Sequence, residues 1–396
     1  MSTSDEFRAV GDEQGFRALM DDADVRRSAA AVVTAGEQSK VRRQLLASAV
    51  RLTDVLAPAL HRIVDACREK LAVEEPCECY VYASAEANAG VTLPDQGRVL
   101  LLFSSALLDR FAEDELTFVV GHELGHHRYR HHQLPVKGVI TSESVGAQSA
   151  MQLFSWSRFA EVSADRAGLY CAGNLEPVAR SLFKLASGLS GALTPHVVEA
   201  MLAQLEEFAV DTPQGADDAG RGEWFSTHPF SPLRVKAAHL FARSAYMVGG
   251  GLGPAALEVA TNEAMGLMEP GYLQAKTPEA QAMRRVLLSA GVTVASASGE
   301  ISDEEIDALD RLLGDGTYSR KLSLRALTEA LPERIRDLEG VGRAARMQLV
   351  RDLALIALAD GHVDAAERAV LEDVARQMGV GLEVVTRVLD GRIDLD

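Results

Sequence analysis

Apolar residues recur at helical spacing through most of this chain. Between Phe16 and Leu71, the residues Leu45, Leu46, Val50, Leu52, Val55, Leu56, Leu60 and Ile63 form one such stripe, which predicts a helical entry to a first domain. Two segments break the period. Cys79-Tyr-Val-Tyr82 alternates and is aromatic, and Arg98-Val-Leu-Leu-Leu-Phe103 is an apolar run behind the turn Pro94-Asp-Gln-Gly97, so both read as strands. Helical spacing resumes after Ser104-Ser105, is interrupted by the polar stretch 211–222, and ends at Gly249-Gly-Gly-Leu-Gly-Pro254.

From about residue 280 the chain is helical again and carries a weak internal repeat. Ala297-Ser-Gly-Glu-Ile-Ser-Asp-Glu-Glu305 aligns with Ala359-Asp-Gly-His-Val-Asp-Ala-Ala-Glu367, with Leu309 and Leu371 four residues beyond the two glutamates. Two related helical hairpins would explain it. The pattern divides the chain into a first domain over 1–248 with a helical N-terminal extension, a connecting stretch over 249–279, and a helical domain over 280–396.

The chemistry lies on the first long helix after the strands. Asp114 and Glu115 favour a helix start, and Leu116, Val119, Val120 and Leu124 give the helix an apolar side. His122 and His126, four residues apart, project from one face of it and can grip one ion. Glu123 sits beside them, where a carboxylate can take a proton from metal-activated water. Gly121 and Gly125 each cost about 1 kcal/mol of helix propensity relative to alanine. That choice makes sense where a neighbouring element must approach closely. His127, His131 and His132 read as a polar, exposed helix end and are not counted as ligands.

A catalytic zinc takes three protein ligands and keeps one position open. Ser157-Arg-Phe-Ala-Glu-Val-Ser-Ala-Asp-Arg-Ala-Gly168 reads as a second helix with Glu161 and Asp165 on one face. Alone, two acids four apart describe a solvated face. Coupled to the histidine pair, Glu161 fits the third ligand and Asp165 fits the group that holds the distal nitrogen of a ligand histidine. One Zn2+ per chain is expected.

These motifs resemble those of the HtpX-like and CAAX-prenyl-protease-like zinc peptidases. The resemblance rests on the run from Glu113 to His126, on Glu161-Val-Ser-Ala-Asp165, on Ser226-Thr-His-Pro229 with Arg234, and on Asn88-Ala89 ahead of the apolar strand. It covers roughly residues 40–245. It implies a predominantly helical α+β fold, with a zincin-like metallopeptidase core that contains a small sheet. It also implies that His228 lies near the zinc and steadies the oxyanion, and that Arg234 pairs with an active-site carboxylate or holds the loop. Finally, it makes Val99–Phe103 an edge strand where Asn88, Leu100, Leu101 and Leu102 meet the substrate backbone. From the residues alone, that segment also fits a plain core strand. Many relatives carry transmembrane helices, including between the two zinc helices. Here the connection from Gln133 to Ser155 is polar and serine-containing.

The C-terminal repeat resembles the helical TerB-like module of tellurite resistance. Ser302 with Glu305, and Asp364 with Glu367, also fit capping boxes, so these acids need do no more than start helices. Ser298 stands where the second copy has Asp360, which weakens a metal-binding reading. An all-helical interaction or regulatory module, offering a surface to a protein partner, is expected.

Composition narrows the function. With 396 residues the chain can build two or more cores, and its 47% hydrophobic and 24% charged content is that of an ordinary globular protein. A formal charge of −17 repels phosphate backbones and anionic lipid, so nucleic acid is not an expected partner. The start, Met1-Ser-Thr-Ser-Asp-Glu-Phe-Arg8, shows no basic or apolar leader. The best apolar stretch, Ala245–Ala260, is short, glycine-rich and broken by Pro254, so membrane insertion is not expected. Four scattered cysteines give no disulfide framework, and a cytoplasmic setting is expected. Together these features predict a zinc-dependent endopeptidase acting on protein or peptide substrates, with Glu123 as general base. The alternatives are a zinc-stabilised scaffold or chaperone-like binder without turnover, and an adaptor acting through residues 280–396.

Overall fold

The structure, a computed structural model, describes residues 7–38, 41–140, 145, 147–189, 196–210, 229–266, 278–297, 299, 301, 324–341, 343–358 and 362–389. The chain divides into two compact units, one formed by 1–139, 155–210 and 228–265, the other by 140–154, 211–227 and 266–396.

The first unit opens with helices α1 (Val10–Asp21), α2 (Ala23–Gln38) and α3 (Val41–Ser48), followed by strand β1 (Val50–Leu52) and helix α4 (Pro58–Leu71). The single helical stripe expected over residues 45–63 is therefore broken. Val50-Arg-Leu52 pairs with the next strand, while Val55 and Leu56 sit exposed in a turn where Thr53 Oγ1 accepts from the Leu56 amide. The segment fits the strand period of two as well as the helical one, and Pro58, at a position where its missing N–H is harmless, restarts the helix. Leu60, Val64, Cys67 and Leu71 of α4 then fall on one buried face.

Strands β2 (Cys77–Tyr82), β3 (Ala89–Val91) and β4 (Val99–Ser104) complete a four-stranded sheet of order β1-β2-β4-β3. The β2–β4 pair is parallel and the other two are antiparallel. Strand β4 is central, and its residues alternate between faces. Leu100 packs with Tyr80 and Leu45, whereas Val99, Leu101 and Phe103 join Cys79, Val64 and Leu71 in the main core.

Helices α5 (Ser105–Arg110) and α6 (Glu113–Arg128) follow, then a 3-10 turn (His131–Gln133), α7 (Val136–Ile140), the long α8 (Ala147–Ala172), α9 (Leu175–Ser187), α10 (Val197–Val210), α11 (Ser231–Ala242) and α12 (Pro254–Met265). Helix α4 packs on α6, and α9 on both α6 and α11.

The second unit contains α13 (Pro278–Ala295), α14 (Leu324–Arg336), α15 (Arg343–Ala357), α16 (Ala365–Gln377) and α17 (Leu382–Leu389). Its core joins Val286, Leu287 and Ala290 to Leu349, Leu353, Ile356, Leu371 and Val385. Asp364 caps α16 by accepting from the Ala366 and Glu367 amides, and Glu367 returns a bond to the Asp364 amide, so these two acids do form a capping box. Ser302 and Glu305 of the first copy, and the pair Asp360-Gly361 of the second, lie outside the described residues. Among the described residues the chain is thus mostly helical with one small mixed sheet, as expected. Among the described residues, no helix is long and apolar enough to cross a membrane.

Candidate metal centre

Helix α6 is anchored at its start by Glu115, which is 1% exposed. One carboxylate oxygen accepts from the Ala112 amide at 2.8 Å and from Lys184 Nζ at 2.7 Å, and the other from Arg180 Nε at 3.1 Å. This buried acid satisfies an open donor at the helix start and ties α6 to α9.

The two glycines of α6 meet α8. A Cβ on Gly121 would lie 2.8 Å from Cys171 Cβ and 2.9 Å from Gly168 Cα, and one on Gly125 would lie 2.7 Å from Ala167 Cβ. Any larger side chain would push the helices apart. The close crossing carries Glu161 of α8 to the histidine face of α6.

At that face, His126 Nε2 lies 3.1 Å from His122 Nε2 and 3.2 Å from Glu161 Oε1, while His122 Nε2 lies 3.5 Å from Glu161 Oε2. Among the described residues, His122, His126 and Glu161 form a group whose ligand atoms all lie within 4.8 Å of one another. Ligand atoms about 2.0–2.1 Å from a tetrahedral ion stand about 3.3 Å apart, so the spacing suits a small divalent cation.

The outer hydrogen bonds set the tautomers. Asp165 Oδ1 accepts from His122 Nδ1 at 3.0 Å, which leaves the Nε2 lone pair of His122 facing the cluster. Arg234 on α11 holds Asp165 through two bonds of 2.9 and 2.7 Å and reaches Glu161 Oε2 at 3.2 Å. Burial would raise the Asp165 carboxyl, but the charge and hydrogen bonds of Arg234, with His122 behind them, hold it below the usual carboxylate range. Burial likewise works against the charged guanidinium of Arg234, and Asp165 and Glu161 overcome it.

His126 is held from its other side. Its Nδ1 lies 2.8 Å from His131 Nδ1, and His131 Nε2 lies 3.0 Å from Asp12 Oδ2. The ionised Asp12 carboxylate can only accept, so His131 Nε2 donates to it, and in the neutral ring His131 Nδ1 then accepts from His126 Nδ1. With these tautomers His122 and His126 turn their Nε2 lone pairs toward one another across 3.1 Å, an arrangement that a cation between them would relieve. This corrects the reading of His127, His131 and His132 as an exposed helix end: His127 and His131 are 8% and 6% exposed, and His132 is half-buried. The helix stops at Arg128, and Arg130, at φ 61, turns the chain back beneath it.

Glu123 is buried on α6 between the two histidines, near enough for its charge to act on His126 and Arg234. His228 lies outside the described residues. The expectation that Leu100, Leu101 and Leu102 form a free substrate edge is corrected. Strand β4 is paired on both sides, by β2 and by β3, and Leu100 and Leu101 are fully buried. The three-residue strand β3 is too short, and too interrupted by Gly90, to show in a hydropathy pattern. Asn88 precedes it, exchanging backbone and side-chain bonds with Ser104 at 2.8 and 2.9 Å. All four cysteines are free, and burial pushes the Cys77 and Cys79 thiols up to about 12.

Asp12 and His131 had no sequence signal that linked them to the site, because their partners lie far away along the chain or just past a helix end.

Comparison with known proteins agrees with this geometry. Residues 55–241 match the model of Peptidase family M48, and residues 284–388 match that of Tellurite resistance protein TerB. The chain is similar to the plastoglobule-localized metallopeptidase 48, chloroplastic, of Arabidopsis thaliana, with 28% identity over 197 residues. That alignment covers 47% of this chain and 57% of the relative. No solved structure matches. The chain therefore carries a peptidase family M48 domain over residues 55–241, followed by a TerB domain over residues 284–388.

Proposed function

We propose that this protein is a zinc-dependent endopeptidase. The observation that carries the reading is the convergence of His122, His126 and Glu161 beside a buried Glu123 on the same helix. A purely structural zinc site closes its coordination with four protein ligands and has no use for a neighbouring base.

When bound, zinc lowers the pKa of water toward roughly 7 and polarises the scissile carbonyl. The rest falls to the chain. Glu123 takes the proton of the attacking water and delivers it to the departing amine. Asp165 holds the His122 ring, and Arg234 holds Asp165 and Glu161 in place. His228 is assigned, on the family resemblance, to stabilising the oxyanion.

The substrate backbone adds to β3, which packs near α6 and is paired on one side only among the described residues. Asn88 and Thr92 share backbone bonds with β4, so the ladder alternation turns the N–H and C=O groups of Ala89 and Val91 toward the open edge. A protein or peptide in extended form is the substrate class that fits such an edge. The four free cysteines favour a reducing, cytoplasmic setting, whereas the name of the Arabidopsis relative places that protein in the chloroplast. The TerB domain is read as the surface for a protein partner.

The test is cleavage of a quenched peptide library by the full chain, abolished by a zinc chelator and restored by added Zn2+. Cleavage that persists after complete metal removal would sink the proposal.

A further inference from the structure

We infer that the metal centre extends outside the family domain into the N-terminal helix α1, where Asp12, acting through His131, positions the ring of ligand His126. The inference rests on the zinc reading of the cluster and adds His131 and, beyond the matched region 55–241, Asp12.

The connection is continuous and buried. His126 Nδ1 lies 2.8 Å from His131 Nδ1, and His131 Nε2 lies 3.0 Å from Asp12 Oδ2. Asp12 is fully buried and its other bonds are saturated. Trp156 Nε1 donates to Oδ1 at 2.9 Å, and Arg8 grips both oxygens at 2.8 Å. The carboxylate is thus fixed by three hydrogen bonds from two side chains before it meets His131. His122 has its own arm in Asp165, so each ligand histidine is oriented by a buried acid, one directly and one through a second imidazole. Such outer partners fix ring orientation and tautomer and raise ligand basicity.

Helix α1 is seated on the very helix that bears Glu161. Ser163 Oγ accepts from the Ala9 amide at 3.0 Å, and Arg166 Nη1 donates to the Phe7 carbonyl at 3.1 Å. Gly11 and Gly15, one turn apart, let α1 lie against the side chains of Phe159 and Trp156, where a Cβ on Gly11 would come within 2.5 Å of the Phe159 ring. Ser163 and Arg166 interleave with Glu161 and Asp165 along α8. The same six-residue stretch, 161–166, therefore serves the metal cluster and the docking of α1. Arg130, held at φ 61 in the left-handed region, makes the reversal that returns His131 to His126.

Two measurements on the full chain test this. In the first, the zinc-loaded wild type is labelled with 15N-histidine and its ring tautomers are read by long-range 1H–15N correlation, with His131→Gln used for assignment. His126 is expected to carry its proton on Nδ1, and His131 to be neutral with its proton on Nε2. In the second, zinc affinity is measured by competition with a chromophoric chelator. Asp12→Asn is expected to weaken binding about 10–100-fold, while Arg17→Ala, on the exposed side of α1, leaves it unchanged.

A His131 proton on Nδ1, or a folded Asp12→Asn chain with wild-type zinc affinity, would overturn the inference and leave the zinc site standing. If Asp12→Asn does not fold, the wild-type tautomers still decide. A wild type that binds no zinc overturns both readings.

Discussion

Arg234 grips Asp165 with both arms of its guanidinium, Nε to Oδ2 at 2.9 Å and Nη2 to Oδ1 at 2.7 Å. The same Nη2 reaches Glu161 at 3.2 Å. One arginine from α11 thus compensates two buried carboxylates from α8, of which one faces the metal cluster and the other orients His122. Removing one partner of a buried pair leaves an uncompensated charge, worth about 3–5 kcal/mol. Arg234→Ala should therefore lower the melting temperature. The drop should be larger with chelator than with saturating Zn2+, because the cation supplies part of the missing positive charge. Equal drops in both conditions would show that Arg234 does not share its carboxylates with a metal.

The α6–α8 crossing gives a second expectation. Alanine at position 125 gains about 1 kcal/mol of helix propensity, yet its Cβ would lie 2.7 Å from Ala167 Cβ and 3.2 Å from Ala164 Cα. Overpacking of this kind costs about 1–3 kcal/mol. Gly125→Ala should be destabilised in urea, and Gly125→Val more so. Both should bind zinc more weakly, since Glu161 reaches the histidines only across this contact. A Gly125→Ala chain more stable than wild type would mean that the crossing relaxes freely.

The edge of β3 that is unpaired among the described residues can be probed without unpairing the sheet. The amide of Val91 belongs to a residue that makes no ladder bond with β4, so Val91→Pro removes an outward donor without breaking the β3–β4 ladder, and Val91→Ala controls for the side chain lost from the core. A lost hydrogen bond of about 0.5–1.5 kcal/mol corresponds to a fall of about 2- to 13-fold in kcat/KM for peptide substrates. Zinc content and circular dichroism should be unchanged. If kcat/KM is untouched, substrate does not add to this edge.

The parts of the site that were legible in the sequence are those written in a local period. His122, Glu123 and His126 share one helix, as do Glu161 and Asp165, and spacing alone puts each set on a face. Glycines at 121 and 125 announced a close neighbour, and the structure supplies it in Gly168, Ala164 and Ala167. What stayed hidden depends on distant partners or very short elements. Asp12 and His131 are 119 residues apart in sequence, and nothing local marks either as belonging to the cluster. The run of three leucines in β4 fits an edge or a centre equally well. Only the pairing of Ala89-Gly90-Val91 decides for the centre. The stripe from Leu45 to Ile63 failed as a helix because two periods overlap there, and backbone pairing with β2 won.

The central claim is that Glu123 moves a proton while His122, His126 and Glu161 hold the metal. Glu123→Gln is nearly isosteric and does not remove a proposed ligand, so the account predicts wild-type zinc content, fold and peptide binding. Turnover of casein or a quenched peptide should fall by at least the 10²–10⁴ that acid–base assistance is worth. The assay should use the full chain and, in parallel, a chain lacking the TerB domain. Cleavage by Glu123→Gln at the wild-type rate in both would contradict the account and leave the zinc-stabilised scaffold in its place.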